Sequence, residues 1–436
     1  MRRPALAASD PDVFAILESE IERQNDGLEL IPSENYVSPA VLEALGSEMT
    51  NKYSEGYPGR RYYGGQENTD ALESLAIERA KRLFHADHAN VQALSGAAAN
   101  LAVYHAWLEP GDTVLAMELS HGGHLTHGAP VTLAARYYRF IRYGMKDVHT
   151  GEIDYDALEE TAERERPRLI LAGFSSYPRT LDYRRIAAVA NKVGAVAMAD
   201  MSHIAGLIAG GQLENPLDCG FHVMTTTTHK TLRGPRGALI LSKGRVLSPL
   251  RAPEKTIENL PTLIDRSVFP GLQGGPHMNA VLAIAVALRE ASTPAFQAYA
   301  RQVLINARAL ADALIARGCS LITGGTDNHL MLIDTIKSFG KDGNEVQQIL
   351  DRVHITLNKN AIPDDPLPPF RASGVRLGTP AATTRGFDTD DMERIAEWIV
   401  SAVRAADDEA RLSAIRDEVT ALCRAKPIPT WSAARG

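Results

Sequence analysis

Between Asn68 and Ser242, short apolar runs alternate with stretches of helical period, and nothing else in the chain limits its architecture as much. Residues 113–117, 137–141, 168–172, 195–199, 222–227 and 237–242 read as strands. Leu72, Leu75, Ala76, Ala80 and Leu83 form one helix face. Ser95-Gly-Ala-Ala-Ala-Asn100 leads into a second helix through Leu108, and a third over 183–193 is closed by Gly194. Strands that are apolar throughout need cover on both faces, and the intervening helices supply it. The reading is an α/β fold with a mostly parallel sheet. Ligands on such a sheet bind beyond the carboxyl ends of its strands. Ser95-Gly96, His121 to His127, Ser175, Asp200 and Lys230 all follow strands or open helices, so they are expected along that one edge.

The most unusual stretch on that edge is Val223-Met-Thr-Thr-Thr-Thr-His-Lys-Thr-Leu-Arg-Gly-Pro-Arg-Gly237. Four β-branched threonines suit a strand. His229 and Lys230 follow at its exit, Gly234-Pro235 breaks the chain, and an apolar strand resumes. A lone lysine in a hairpin is ordinarily a surface residue. A lysine fixed among hydroxyls and a histidine also suits Schiff-base chemistry, which needs a lowered pKa and a set position. The glycines of a P-loop are absent before Lys230-Thr231.

The 436 residues suffice for two domains. A net charge of −7 gives no electrostatic reason to expect nucleic acid or an acidic membrane as partner. The three cysteines, Cys219, Cys319 and Cys423, form no CxxC pair, which fits a reducing compartment and no zinc ribbon. The N-terminus has no apolar core of signal-peptide length, and the longest apolar run, 280–288, is too short to span a bilayer. A soluble cytoplasmic protein is expected.

At the N-terminus, Asp10-Pro11 caps a helix that Asn25-Asp-Gly27 ends; 28–36 is irregular, and Ser38-Pro39 opens another helix. Residues 53–65 pack four tyrosines, two arginines, an acid and several glycines into one loop, a composition suited to binding. After Gly275 the pattern changes. Helices over 278–290 and 294–317, strands at 329–334, 355–357 and 375–377, a helix over 344–352 and a helical region from a Thr389 cap to about Cys423 suggest a smaller α+β domain.

A carbonyl cofactor held by a lysine also needs a phosphate anchor, an acid for its ring nitrogen, a stacking group and a clamp for the substrate carboxylate. Asp200 ends a strand 30 residues before Lys230. As a cofactor partner it would keep a pyridine nitrogen protonated; its plainer role is helix capping. Ser95-Gly96 at a helix start offers backbone N–H groups to a phosphate. His121, His124 and His127 raise a metal site, but intervening glycines and the lack of a nearby acid or cysteine argue against it. A histidine in this glycine-rich turn suits ring stacking better. Arg376, in a short apolar strand, has the fork for a carboxylate.

These residues carry a resemblance to the serine hydroxymethyltransferase family of fold-type I pyridoxal-phosphate enzymes. The matching stretches include Ser33-Glu-Asn-Tyr36, Asn51 to Gly65, Leu119 to Gly128, Asp200-Met-Ser-His203, Thr225 to Gly237, Phe269 to Pro276, Asn358-Lys-Asn360 and Ser373 to Pro380, in consistent order. The resemblance implies a large domain with a mostly parallel seven-stranded sheet flanked by helices, plus a smaller C-terminal α+β domain. It sets an N-terminal arm at 1–50 contacting a partner subunit, a cofactor domain at 51–288 and a small domain at 289–436. Lys230 would hold pyridoxal 5′-phosphate, with Asp200 on the ring nitrogen, His124 stacked, and Ser175 and His203 on the O3′ side. Ser95, Gly96 and Ala97 would hold the phosphate, with Tyr53 and Gly275 reaching in from a second subunit. Ser33 and Arg376 would bind the amino-acid carboxylate. Glu55 would handle protons near the hydroxymethyl group, and Tyr63, Thr227 and His229 join Lys230 and Glu55 as catalytic candidates. Tyr62, Tyr63, Leu119, Gly123, Leu125 and Asn360 would line a tetrahydrofolate site. No metal is implied. The resemblance implies a homodimer or tetramer acting on serine, glycine and folate.

Three positions depart from the family's usual residues: Ala97 replaces a serine, Pro32 an alanine and Ser202 an alanine. Residues 247–266 also form a longer stretch than in compact bacterial members. A threonine-type aldolase or transaldolase, or an enzyme acting on α-methylserine, shares the scaffold; the folate-loop residues distinguish them. A metal hydrolase built on the three histidines and a scaffold without activity are the rivals from other classes.

Overall fold

A computed structural model describes residues 3–244, 260–368 and 370–429. Most of the 247–266 stretch, through residue 259, lies outside them. The chain forms two compact units, one of residues 40–301 and one of residues 1–39 with 302–436. These cuts at 39/40 and 301/302 differ from the expected 50/51 and 288/289.

The first unit is built on seven strands: β1 (His88–Asn90), β2 (Thr113–Met117), β3 (Arg139–Tyr143), β4 (Leu169–Gly173), β5 (Val196–Asp200), β6 (Val223–Thr227) and β7 (Ala238–Ser242). Their order in the sheet is β1-β7-β6-β5-β4-β2-β3. Only β7 runs antiparallel to its neighbours β6 and β1. Strands β2, β4, β5, β6 and β7 are buried along their whole length, which is why all of them but the threonine-rich β6 read as nearly continuous apolar runs rather than alternating ones. The helix Gly96–Trp107 packs Ala99, Ala102, Val103 and Trp107 into one core with Val114, Leu169, Met198 and Val223 of the sheet.

The expected strand at 137–141 begins instead at Arg139, because Tyr137 closes a short helix, Leu133–Tyr137. Strand β1 went unread because three residues are too few to show a period.

In the second unit, β8 (Ser320–Leu321), β9 (Leu330–Asp334), β10 (Asn358–Asn360) and β11 (Gly374–Gly378) make an antiparallel sheet ordered β8-β9-β11-β10. The N-terminal segment belongs here for a visible reason. Leu28 and Glu29, expected to be irregular, pair in parallel with Ile355 and Thr356. Buried Arg385 then donates to the carbonyls of Asn25, Gly27, Cys423 and Lys426, satisfying groups that helix ends leave open. The cap of the helix Thr389–Arg404 is Asp388, not Thr389; its carboxylate accepts from the Asp390 and Asp391 amides. The helical region to Cys423 is two helices, the second being Glu409–Ala425. Among the described residues, no helix is long and apolar enough to cross a membrane.

Candidate active site

At the carboxyl edge of the large sheet, His124, His127 and Asn100 come together around Asp200. Parallel pairing sets Asp200 beside Thr225 of β6 and Gly173 of β4. Its carboxylate is buried and accepts four hydrogen bonds. Oδ1 accepts from the Ser202 hydroxyl at 2.6 Å and the Ser202 amide at 3.1 Å. Oδ2 accepts from Asn100 Nδ2 at 2.8 Å and lies 3.1 Å from His127 Nε2. Burial alone would raise this carboxyl. The His127 bond, the His127 and His124 rings and Asn100 outweigh burial and hold it far below the usual carboxylate range. Asp200 is therefore held as an anion.

The shell around Asp200 is itself fixed. The Asn100 amide oxygen accepts from Thr225 Oγ1 at 2.6 Å, and its Nδ2 also reaches Thr126 Oγ1 at 2.9 Å. The Tyr104 hydroxyl donates to the Thr126 carbonyl. Arg142 of β3 donates to the carbonyls of His127 and Gly128 at 2.6 and 2.7 Å, closing the histidine turn from behind. Gly122, at φ +114°, lets that turn approach residues 176 and 177: a Cβ there would meet the Tyr177 amide at 2.9 Å. The Ser175 amide donates to the Gly122 carbonyl at 2.8 Å, which brings Ser175 to the turn that carries His124.

The expectation that no acid lies near the histidines is overturned. Ligand-type atoms of His124, His127 and Asp200 fall within 4.8 Å of one another. The acid arrives from a strand 73 residues away, which spacing along the chain could not show. The trio still reads as a hydrogen-bonded chain. His127 Nδ1 accepts from the His124 amide, so its Nε2 carries the proton directed at Asp200, and a protonated nitrogen is no metal ligand.

Lys230 lies in the turn after β6. Around it, the Arg233 amide donates to the Lys230 carbonyl, and Thr231 Oγ1 donates to the His203 carbonyl and accepts from the Gly206 amide. Arg233 takes a left-handed φ of +56° and lies 4.1 Å over the Tyr299 ring, whose hydroxyl reaches the Thr231 carbonyl. The Thr227 hydroxyl is directed at the Ser202 carbonyl. His229 Nε2 lies 3.2 Å from Arg236, which can only donate, so the ring proton sits on Nδ1. That Nδ1 is buried with no hydrogen-bond partner among the described residues. Burial, then the Arg236 and Lys230 charges, push the imidazole down to about 3. A base that weak does not suit proton abstraction near neutral pH.

The 53–65 loop has two parts: Arg61 with its partners, its root, is anchored, and Tyr53, Tyr62 and Tyr63, its tip, are exposed. Arg61 donates to buried Glu73 at 2.5 Å, to Asp70 at 2.8 Å and to the carbonyls of Ser54 and Gly56. Glu73 also accepts from Gln92. Glu55 is thus not the partner of Arg61; it accepts from the Tyr53 hydroxyl at 3.1 Å, and this bond holds the Tyr53 phenol above its usual range. Tyr53 meets Tyr63 edge to face, and Tyr62 meets Phe269 likewise. A Cβ on Gly275 would lie 3.2 Å from the Tyr53 ring, so those two expected contributors sit together. Leu119, Gly123 and Leu125 line the histidine turn, with Leu125 exposed.

Ser33, Arg376 and Asn360 belong to the other unit. The Gly378 amide donates to the Leu30 carbonyl, docking the segment that carries Ser33 on the strand that carries Arg376. Burial lowers the Arg376 guanidinium to about 10, still charged at neutral pH.

The residues fit a phosphorylated carbonyl cofactor. Gly96 opens the helix Gly96–Trp107, and a Cβ there would come 2.8 Å from Thr227 Cγ2, so only glycine leaves that space open. The Ser95 hydroxyl caps the helix through the Ala98 amide. A helix start of this kind takes a phosphate through backbone N–H groups and the dipole, while Asp200 supplies the fixed negative charge a protonated ring nitrogen needs.

The serine hydroxymethyltransferase family model matches residues 6–399. The serine hydroxymethyltransferase of Methylococcus capsulatus is 51% identical over 97% of this chain and 98% of its own. That of Xanthomonas axonopodis pv. citri is 49% identical over the same shares. The chain belongs to the serine hydroxymethyltransferase family.

Proposed function

We propose that this family member transfers the hydroxymethyl group of serine reversibly to tetrahydrofolate, giving glycine and 5,10-methylenetetrahydrofolate, with pyridoxal 5′-phosphate held through Lys230. The observation that carries the reading is the register of Asp200 with Thr225. It puts a buried, ionised carboxylate and the Lys230 turn on adjacent strands at one sheet edge.

The cofactor, when bound, supplies an electron sink for the charge left at the amino-acid Cα. The protein's own residues do the rest. Asp200 keeps the ring nitrogen protonated, and Asn100, Ser202 and His127 keep Asp200 in place. Ser95, Gly96 and the amide of Ala97 hold the phosphate. His124 would stack on the cofactor ring, and Ser175 and His203 would hold its O3′ side. Arg376 and Ser33 take the substrate carboxylate. Glu55, with Tyr53 and Tyr63 beside it, gives or takes the proton of the hydroxymethyl oxygen. Thr227 walls the phosphate end, and His229 stays neutral rather than serving as a base. Tyr62, Tyr63, Leu119, Gly123, Leu125 and Asn360 line the folate site. Tyr53 and Gly275 serve a second copy of the chain, which makes the working form a homodimer or a tetramer, in the cytoplasm.

Lys230→Ala tests the reading. It should end multiple turnover, since release of product from the cofactor needs the Lys230 amine. Its visible cofactor absorbance should differ from that of the wild type. A variant that turned over serine at the wild-type rate would overturn the lysine assignment.

A further inference from the structure

We propose that Asn358 is a positioning residue that sets the plane of the Arg376 guanidinium and thereby tunes affinity for the amino-acid carboxylate. The inference rests on the reading of Arg376 as the carboxylate clamp.

Strands β10 and β11 pair so that Asn358 stands directly opposite Arg376, with Asn360 opposite Gly374. Directly opposed residues in an antiparallel pair present their side chains on one face. Arg376 Nε donates to Asn358 Oδ1 at 3.2 Å. The amide orientation is fixed independently, because Asn358 Nδ2 donates to the Lys359 carbonyl at 2.9 Å and leaves Oδ1 as the acceptor. A hydrogen bond at Nε stops the guanidinium from rotating about its stem, and a two-pronged contact with a carboxylate depends on that rotation.

Strand β10 is three residues long and lies at the sheet edge, a place where register is easily lost. Lys359 points the other way and anchors it. Its amide donates to Gln347 Oε1 at 2.9 Å, and its Nζ to Asn344 Oδ1 at 3.1 Å, both on the helix Gly343–Asp351. Those bonds do not involve the Asn358 side chain, so Asn358 can be changed with the strand still held.

The experiment is a double-mutant cycle on cofactor-loaded protein, with Asn358→Ala, Arg376→Lys and both together. The readouts are KM and kcat for serine, KM for tetrahydrofolate, and the glycine dissociation constant from cofactor absorbance. Asn358→Ala should raise the serine KM and the glycine constant by about threefold to tenfold, the usual net weight of one hydrogen bond. Changes in kcat and in the folate KM should stay within about twofold, the scatter expected of a site that keeps its other contacts. In the Arg376→Lys background the same change should have almost no further effect. Asn358→Asp, of the same shape, should weaken glycine binding at least as much, because its charge competes with the substrate carboxylate for Arg376. Equal, multiplying losses in both backgrounds would show a general structural role and overturn the inference, as would an Asn358→Ala enzyme with unchanged glycine affinity. If Arg376→Lys itself left the serine KM unchanged, the clamp reading would fall first.

Discussion

The end of β5 and the tip of the 53–65 loop lie in the same unit and are built on opposite terms. At the strand end Asp200 is 7% exposed and His127 is fully buried, and both carboxylate oxygens are held by protein donors. At the loop tip Tyr53, Tyr62 and Tyr63 are 57%, 70% and 52% exposed. Tyr53 and Tyr63 lean on each other, and Tyr62 leans on Phe269. A group that holds a resident cofactor can be set once, as the chain folds, and burial strengthens its charge interactions. Groups that meet a substrate that comes and goes, or a second copy of the chain, must stay uncovered until that contact is made. The root of the loop follows the first rule and its tip the second, which keeps the tip in place without closing it.

Separating tip from strand end gives the largest effect. Glu55→Gln keeps shape and removes a proton carrier. It should lower folate-dependent serine cleavage by about two orders of magnitude or more, the usual weight of general acid–base assistance. Glycine binding, read by cofactor absorbance, should persist, and cleavage of a β-phenyl hydroxyamino acid, which needs no folate, should suffer far less. Equal loss in both reactions would make Glu55 structural and dissolve the distinction.

The loop root should respond through stability instead. Glu73→Ala leaves Arg61 buried without its closest partner. It should cost about 3 kcal/mol in denaturant unfolding, as breaking a buried pair typically does. An unchanged midpoint would mean that the root does not anchor the loop.

A third probe uses pH. The His229 imidazole is held down to about 3 in the fold, against about 6.5 in an unfolded chain. Between those values the unfolded state binds the proton and the folded state does not. Stability should therefore fall as pH drops below about 6.5, and His229→Gln should flatten that slope. An identical slope in the variant would mean that the ring titrates normally.

The smallest effect belongs to the phosphate end. Ala97→Ser restores the hydroxyl the family usually carries. It should slow cofactor loss by about fivefold, one hydrogen bond's worth. No change in retention would show that the position does not face the phosphate.

Much of this was legible in the sequence, and the pattern of what was not is physical. The parallel sheet could be read because buried strands must be apolar throughout, and the edge residues could be read because each follows a strand. Asn100 could not be assigned, because its meaning lies in a contact 100 residues away with Asp200. Arg142 and Glu73 hid for the same reason: an arginine in a strand and a glutamate in a helix give no local sign that one closes the histidine turn and the other grips Arg61. Ser202 looked like a tolerable replacement of alanine. Its hydroxyl in fact bridges Asp200 and the Thr227 amide. The loop's tyrosines were conspicuous by their number in one short stretch; the bonds that fasten the loop were not.

The central claim, a preset cofactor edge served by a folate-facing loop, is tested most directly by counting product. Cofactor-loaded protein is incubated with L-serine, with and without tetrahydrofolate, and glycine and 5,10-methylenetetrahydrofolate are quantified. The account predicts that glycine and methylene-folate appear in equal amounts, and that glycine formation nearly stops when tetrahydrofolate is left out. Glycine released at the same rate without tetrahydrofolate would contradict it.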